Sequence, residues 1–311
     1  MHIPSSMLHG AVCPVTAAVS AIGLTATAAL AAQAREKASP AHFGAVTAFI
    51  FAAQMLNFPV QNGTSGHLLG GVLATALLGL PFGILSLALV LAVQSLAFSD
   101  GGLATLGANV LNMSLIGAGL GGLFAQFLKS RARNLSNLPV LALASWVSVL
   151  LASLACSAEL ALGGTTSFTE AAPAMLGSHA LIGIGEALIT AAAFWLFSSL
   201  EENKAHTVPQ KAWPVLTAAA LIGLLLSPFA SSYPDGLEWV AARCHFLHNS
   251  APSFVAPLAN YTVPGIAHPF VSTGLAALIG AGICFLAAWV LGQFLQTRKQ
   301  FAATPRTSTK R

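Results

Sequence analysis

Charge is what this chain lacks most. Of its 311 residues only 7% are Asp, Glu, Lys or Arg, while 56% are hydrophobic and the mean hydropathy is +0.77. A soluble domain carries roughly 25% charged residues, so too little charge is present to cover a water-facing surface. The net charge of +4 comes from positive residues in short clusters beside apolar runs. That pattern sets membrane orientation and argues against a nucleic-acid partner. The four cysteines, Cys13, Cys156, Cys244 and Cys284, are widely separated and make no CxxC or zinc-ribbon spacing, which leaves no disulfide framework or zinc site to read. Walker-type Gly-x-x-x-x-Gly-Lys-Ser/Thr, His-Glu-x-x-His and Gly-x-Ser-x-Gly patterns are missing as well. The chain therefore reads as no enzyme, and any ATP hydrolysis is expected on other chains.

Long apolar segments are present in quantity. They fall at about 12–33, 43–58, 67–80, 81–98, 106–128, 138–160, 177–199, 214–230 and 272–296, roughly nine membrane spans in an all-α fold. No Lys or Arg precedes Arg35, so the first run lacks the basic region of a signal peptide and is expected to be a retained helix. A bulky second residue disfavours removal of Met1, which is then expected to carry a free amine. Two short segments, 43–58 and 67–80, flank the turn-forming stretch from Asn57 to His67. Non-helical backbone in such a place must line a cavity or pack within protein.

With the amino terminus outside the cell's inner membrane, the inner loops collect every Lys and Arg except Arg243, the asymmetry that orients multi-pass proteins. Met1, His2, His67, Asp100, Glu170, Asp235 and Glu238 then share the outer side. Residues 204–213 read as a cytoplasmic linker between a seven-span part (1–203) and a two-span part (214–296) with a long outer loop. Residues 297–311 read as a basic cytoplasmic tail.

The most informative residues are Met1-His2 and His67. A terminal amine, the deprotonated amide of His2 and the His2 Nδ1 can close five- and six-membered rings on one metal ion. A fourth nitrogen from His67 would complete a planar set, which suits Ni(II), Cu(II) and low-spin Co(II) better than Zn(II) or Mg(II). A ligating imidazole needs an orienting acceptor; Asn57, Gln61, Asn62, Thr64 and Ser65 are the candidates near His67 in sequence. Asp100 reads most simply as a turn residue, with a part in organising the site as the alternative. Asn109 and Asn112 share a helix face and read as hydrogen-bonding glue to loops or a neighbouring helix. Glu186, alone in an uncharged run with His179 seven residues before it, reads as one end of an interhelical hydrogen bond. Cys244, His245, His248 and His268 read as ordinary loop residues ahead of a second metal-capture site.

Residues 1–200 resemble the CbiM/NikM family, the cobalt/nickel substrate-binding subunits of energy-coupling factor transporters. The resemblance rests on Met1-His2-Ile3-Pro4, on the run from Phe51 to Val60 and on Gly63-Thr64-Ser65-Gly66-His67-Leu68-Leu69-Gly70-Gly71. Phe98-Ser99-Asp100-Gly101-Gly102-Leu103 and the run from Leu106 to Met113 add to it. The resemblance implies metal ligation by Met1, His2 and His67, with no resident cofactor and Ni(II) or Co(II) as cargo. It also implies a membrane coupling subunit and a pair of cytoplasmic ATPases as partners. Ser5-Ser6 stands where the family commonly has an acidic residue and Gly, so a slightly different hydrogen-bond pattern is expected there. Pro234-Asp235-Gly236-Leu237-Glu238 resembles the marker of the PDGLE module found beside such subunits. That fusion leans towards nickel, and the module is expected to gate or stabilise the amino-terminal loop. An autonomous metal channel or ion-coupled permease is the rival reading, with Glu186 and Asp100 as its pathway carboxylates.

Overall fold

The computed structural model describes residues 1–132, 134–200, 211–247 and 254–302, the side chains of residues 62 and 297–302 excepted. Most of the linker, most of the basic tail and His248 lie outside the described residues. Every apolar segment read from the sequence contains a helix. Among the described residues six helices are long and apolar enough to cross a membrane: α1 (Val12–Gln33), α4 (Leu80–Phe98), α5 (Leu106–Arg131), α6 (Asn137–Leu162), α7 (Phe168–Ser199) and α10, crossing over Pro269–Gln296. The shorter ones are α2 (Pro40–Gln54), α3 (Gly71–Leu78) and α8 (Trp213–Phe229). The chain is a multi-pass membrane protein. Eight residues of α-helix rise only about 12 Å, so α3 reaches less than half-way through the hydrocarbon layer. It turns back onto α4 at Gly79, which adopts φ +82°.

The half-length helix leaves irregular backbone at depth, and specific partners satisfy it. Between α2 and α3 the chain forms a small hairpin of β1 (Phe58–Pro59) and β2 (Ser65–Gly66), paired antiparallel. At the start of α3 the N–H groups of Leu69 and Gly70 donate to the two carboxylate oxygens of Glu186 on α7, at 2.6 and 2.8 Å. Glu186 thus makes the interhelical contact read from the sequence, with backbone groups as its partners. His179 turns instead to the carbonyl of Met175 at 2.8 Å.

The back part of the chain packs tightly onto the front part. Helix α10 lies along α2, and Gly44 allows the approach: a Cβ there would meet the Phe285 carbonyl oxygen at 2.8 Å. Phe51 and Phe98 form an aromatic cluster with Tyr261, whose ring stacks on Phe98 at 4.8 Å between centroids. The segment before α10 also bonds to the end of α4, through Leu258 N–H to Ala97 O and Ala256 N–H to Ser99 Oγ. By contrast, α1 shows much of its apolar surface outward, with Ile22 71% exposed, as a lipid-facing helix does. Replacing Glu186 by Ala leaves two buried N–H groups without an acceptor, each costing about 1–3 kcal/mol. Thermal unfolding in detergent should show a clear loss of stability for Glu186→Ala and a smaller one for Glu186→Gln, which keeps one acceptor oxygen.

Candidate metal centre

The first residues fold back into the bundle because their apolar side chains are worth burying. Ile3, Met7 and Leu8 are buried against α5 and α6, and each such side chain contributes about 1.5–3 kcal/mol. The peptide of Ile3 is held on both sides. Its N–H donates to Asn109 Oδ1 at 2.8 Å, and its carbonyl accepts from Asn109 Nδ2, Thr105 Oγ1 and Gly102 N–H. Ser5 packs against Gly102, where a Cβ would collide with the Ser5 backbone. Met1 and His2 are thereby delivered to a fixed place.

That place is beside His67. The terminal amine lies 2.8 Å from His67 Nε2 and 2.7 Å from Asp235 Oδ2. The rings of His2 and His67 are nearly parallel, 15° apart, with centroids 5.2 Å from each other. His67 Nδ1 lies 3.0 Å from the carbonyl of Leu68, and a carbonyl only accepts, so Nδ1 carries the proton. Nε2, facing the amine, is left with its lone pair. Burial, then the nearby amine and His2, push the His67 pKa down to about 3, so the ring is neutral and able to act as a ligand.

The tautomer of His2 follows from a chain of amides. Gln54 Nε2 donates to the carbonyl of Leu69 at 2.8 Å, which leaves Gln54 Oε1 to accept from Gln94 Nε2 at 2.9 Å. Gln94 Oε1 then lies 3.1 Å from His2 Nε2. His2 must donate there, which frees Nδ1, the nitrogen that an amino-terminal chelate uses. Burial lowers the His2 pKa despite the opposing pull of Asp100. The bare Nδ1 faces Asp100 Oδ1 at 3.2 Å, lone pair towards carboxylate, and a cation is the partner that suits both. Asp235 would be raised by burial alone; the amine's charge and the hydrogen bonds it accepts hold it well below the usual carboxylate range.

Access is from the loop side. A cavity of about 440 Å³ is lined by His2, Asn57, His67, Asp100, Asp235, Glu238 and Tyr261 among others. Behind the amine only about 20 Å³ is open, bounded mainly by apolar side chains such as Met113, Val149 and Ile182.

Of the residues read from the sequence, Met1, His2, His67, Asp100 and Asn109 come together. Asp100 is more than a turn residue, since it faces His2 and accepts from the Tyr261 hydroxyl. Asn109 grips the amino-terminal segment at Ile3, as a glue residue should. The acceptor that orients His67 is the Leu68 carbonyl, in place of Asn57, Thr64 or Ser65. Asn57 lines the cavity and Thr64 lines a separate cleft. Ser65 bonds to the carbonyls of Tyr233 and Pro234. Among the described residues no group of three or more His, Cys, Asp and Glu is placed to hold a metal, so Cys244, His245 and His268 form no such cluster. Sequence reasoning missed Gln54, Gln94 and Asp235 as parts of the site. A lone amide in an apolar run was the signal for the first two.

Residues 2–203 match the family model described as CbiM, cobalt uptake substrate-specific transmembrane region. The chain belongs to the CbiM family. Residues 210–297 match the PDGLE domain. A relative in Archaeoglobus fulgidus, named as a fused nickel transport protein NikMN, is 35% identical over 82% of this chain and 86% of its own. A cobalt transport protein CbiM of Acetoanaerobium sticklandii is 32% identical over 47% of this chain and 62% of its own. A crystal structure of a transition metal transporter superposes with a TM-score of 0.58 at 30% identity, covering 66% of this chain and 96% of that one. In these terms the site lies where the CbiM part meets the PDGLE part: His2, His67, Asp100 and Asn109 come from the first, and Asp235 and Tyr261 from the second.

Nuclear magnetic resonance of protein labelled with ¹⁵N-histidine checks both tautomers. His67 should carry its proton on Nδ1 and His2 on Nε2, and His67 should not titrate across about pH 5–8, where a free imidazole does. Gln54→Leu breaks the amide chain and should mix the His2 tautomers while leaving His67 unchanged.

Proposed function

We propose that this membrane protein captures Ni(II) or Co(II) on the outer side of the inner membrane and holds it through Met1, His2 and His67 for uptake. The observation that carries this reading is the terminal amine at 2.8 Å from the bare Nε2 of a neutral, half-buried histidine. The amine, the His2 amide and the His2 Nδ1 supply three nitrogens on fused chelate rings, and His67 supplies the fourth. Nickel transport in the names of the fused relatives makes Ni(II) the first metal to try. Cu(II) is the strongest competitor by intrinsic affinity, while Ca(II) and Mg(II) are rejected by nitrogen donors. Binding releases protons from the amine and the amide, so affinity falls as pH falls.

The outward placement of the amino terminus is supported by the Lys and Arg distribution, which leaves only Arg243 on the outer side. The chain then acts as the substrate-binding component of an energy-coupling factor importer. A membrane coupling subunit and cytoplasmic ATPases drive release inward. The organisation into residues 1–203 and 214–296, joined by 204–213, belongs to the same reading. The two carboxylates an autonomous channel would use are engaged instead: Glu186 on the backbone of Leu69 and Gly70, Asp100 on the Tyr261 hydroxyl. That favours a binding subunit over a permeation path.

The test is Ni(II) and Co(II) binding to purified protein beside a variant with one residue added before Met1. The extension keeps every side chain and moves the amine. The native protein should bind one metal, and the extended protein and His67→Ala should each lose at least about two orders of magnitude in affinity. Equal binding by native and extended protein would remove the amino-terminal chelate from the account.

A further inference from the structure

The two oxygens of Asp235 do different things. Oδ1 caps helix α9 (Gly236–Arg243), accepting from the N–H groups of Leu237 and Glu238 at 2.8 and 2.9 Å, while Glu238 Oε2 accepts from the Asp235 N–H. Oδ2 takes no part in the cap and lies 2.7 Å from the Met1 amine. The turn that carries it is fixed from two directions. Ser65 N–H and Ser65 Oγ donate to the carbonyls of Pro234 and Tyr233, at 2.8 and 2.7 Å. Gly236 lies against the His179 ring so closely that a Cβ there would stand 2.8 Å from Cε1. The hairpin that brings His67 and the helix that carries Glu186 therefore also aim Asp235.

We propose that Asp235 is a positioning residue of the metal site, through which the PDGLE part orients the terminal amine towards the metal. This rests on the amino-terminal metal site proposed above. A metal-bound amine keeps two N–H groups, so one can still donate to Oδ2 while the nitrogen's electron pair goes to the metal. An acceptor behind a ligating N–H fixes its orientation and strengthens it as a donor; removing such a partner typically costs 10–100-fold in affinity. The PDGLE part is then a wall of the site, since among the described residues His67 is the one residue of the CbiM part hydrogen-bonded to the amine.

A mere helix cap would behave otherwise, and the two roles separate cleanly. Asn and Ser cap helices about as well as Asp. Asp235→Asn keeps an oxygen for Leu237 and Glu238 but turns an NH₂ group towards the amine; Asp235→Ser keeps a cap and does not reach it. Full-length wild type, both variants and the one-residue amino-terminal extension are titrated with Ni(II) by calorimetry in detergent. Visible spectra at saturation and thermal melting without metal are recorded for each. Without metal both Asp235 variants should still melt cooperatively, but below wild type, because the ammonium loses its carboxylate partner; they should bind Ni(II) about 10–100-fold more weakly and reach the wild-type spectrum when saturated. Wild-type affinity in Asp235→Asn and Asp235→Ser would overturn the proposal. So would an altered spectrum at saturation, because Asp235 would then be a ligand itself. If wild type and the extension bind alike, the amino-terminal site itself has failed, which is a different result from the failure of Asp235 alone.

Discussion

A positive amino terminus buried in a membrane protein is the constraint on which the rest depends. An ammonium group taken out of water and left unpaired costs of the order of several kcal/mol. Here it faces one carboxylate oxygen and one imidazole nitrogen. Holding it there requires a pinned strand, and Asn109 and Thr105 pin it at Ile3. It also requires His67 and Asp235 to arrive from distant parts of the sequence, and one small hairpin brings both. The same arrangement that makes the charge tolerable suits the amine to the ligand role proposed for it, because each partner of the ammonium is also a suitable neighbour for a bound dication.

Irregular backbone is the second demand, and it is met by polar side chains at unusual depth. Glu186 closes the start of α3. Gln54 takes the carbonyl of Leu69 one residue earlier and passes the constraint through Gln94 to His2. Residues 67–71 are therefore the hinge between structure and chemistry. Their backbone sets the tautomer of one histidine through Leu68 and of the other through Leu69.

Much of this was legible in the sequence, for definite reasons. Apolar runs give helices directly, and the helix limits match the runs closely; what hydropathy could not give was that 67–80 contains only eight helical residues. That Met1, His2 and His67 would come together was legible because the chelate proposed for them needs particular nitrogens, and because the polar turn before His67 had to fold against something. The acceptor for His67 was not legible, since a backbone carbonyl leaves no mark in a sequence. Asp235 lies 234 positions from the amine it meets, and its place as a helix cap concealed the second oxygen. The interhelical hydrogen bond of Glu186 was legible because a carboxylate alone in an uncharged run needs a partner, but that its donors are the backbone groups of Leu69 and Gly70 was not.

The central claim, that the folded-back amino terminus holds the metal in a planar set of nitrogens, is tested most directly by nickel K-edge X-ray absorption of the full-length protein loaded with one Ni(II). A four-coordinate planar edge with scattering from two imidazoles is the expected result. A six-coordinate shell dominated by oxygen, with no imidazole scattering, would contradict it.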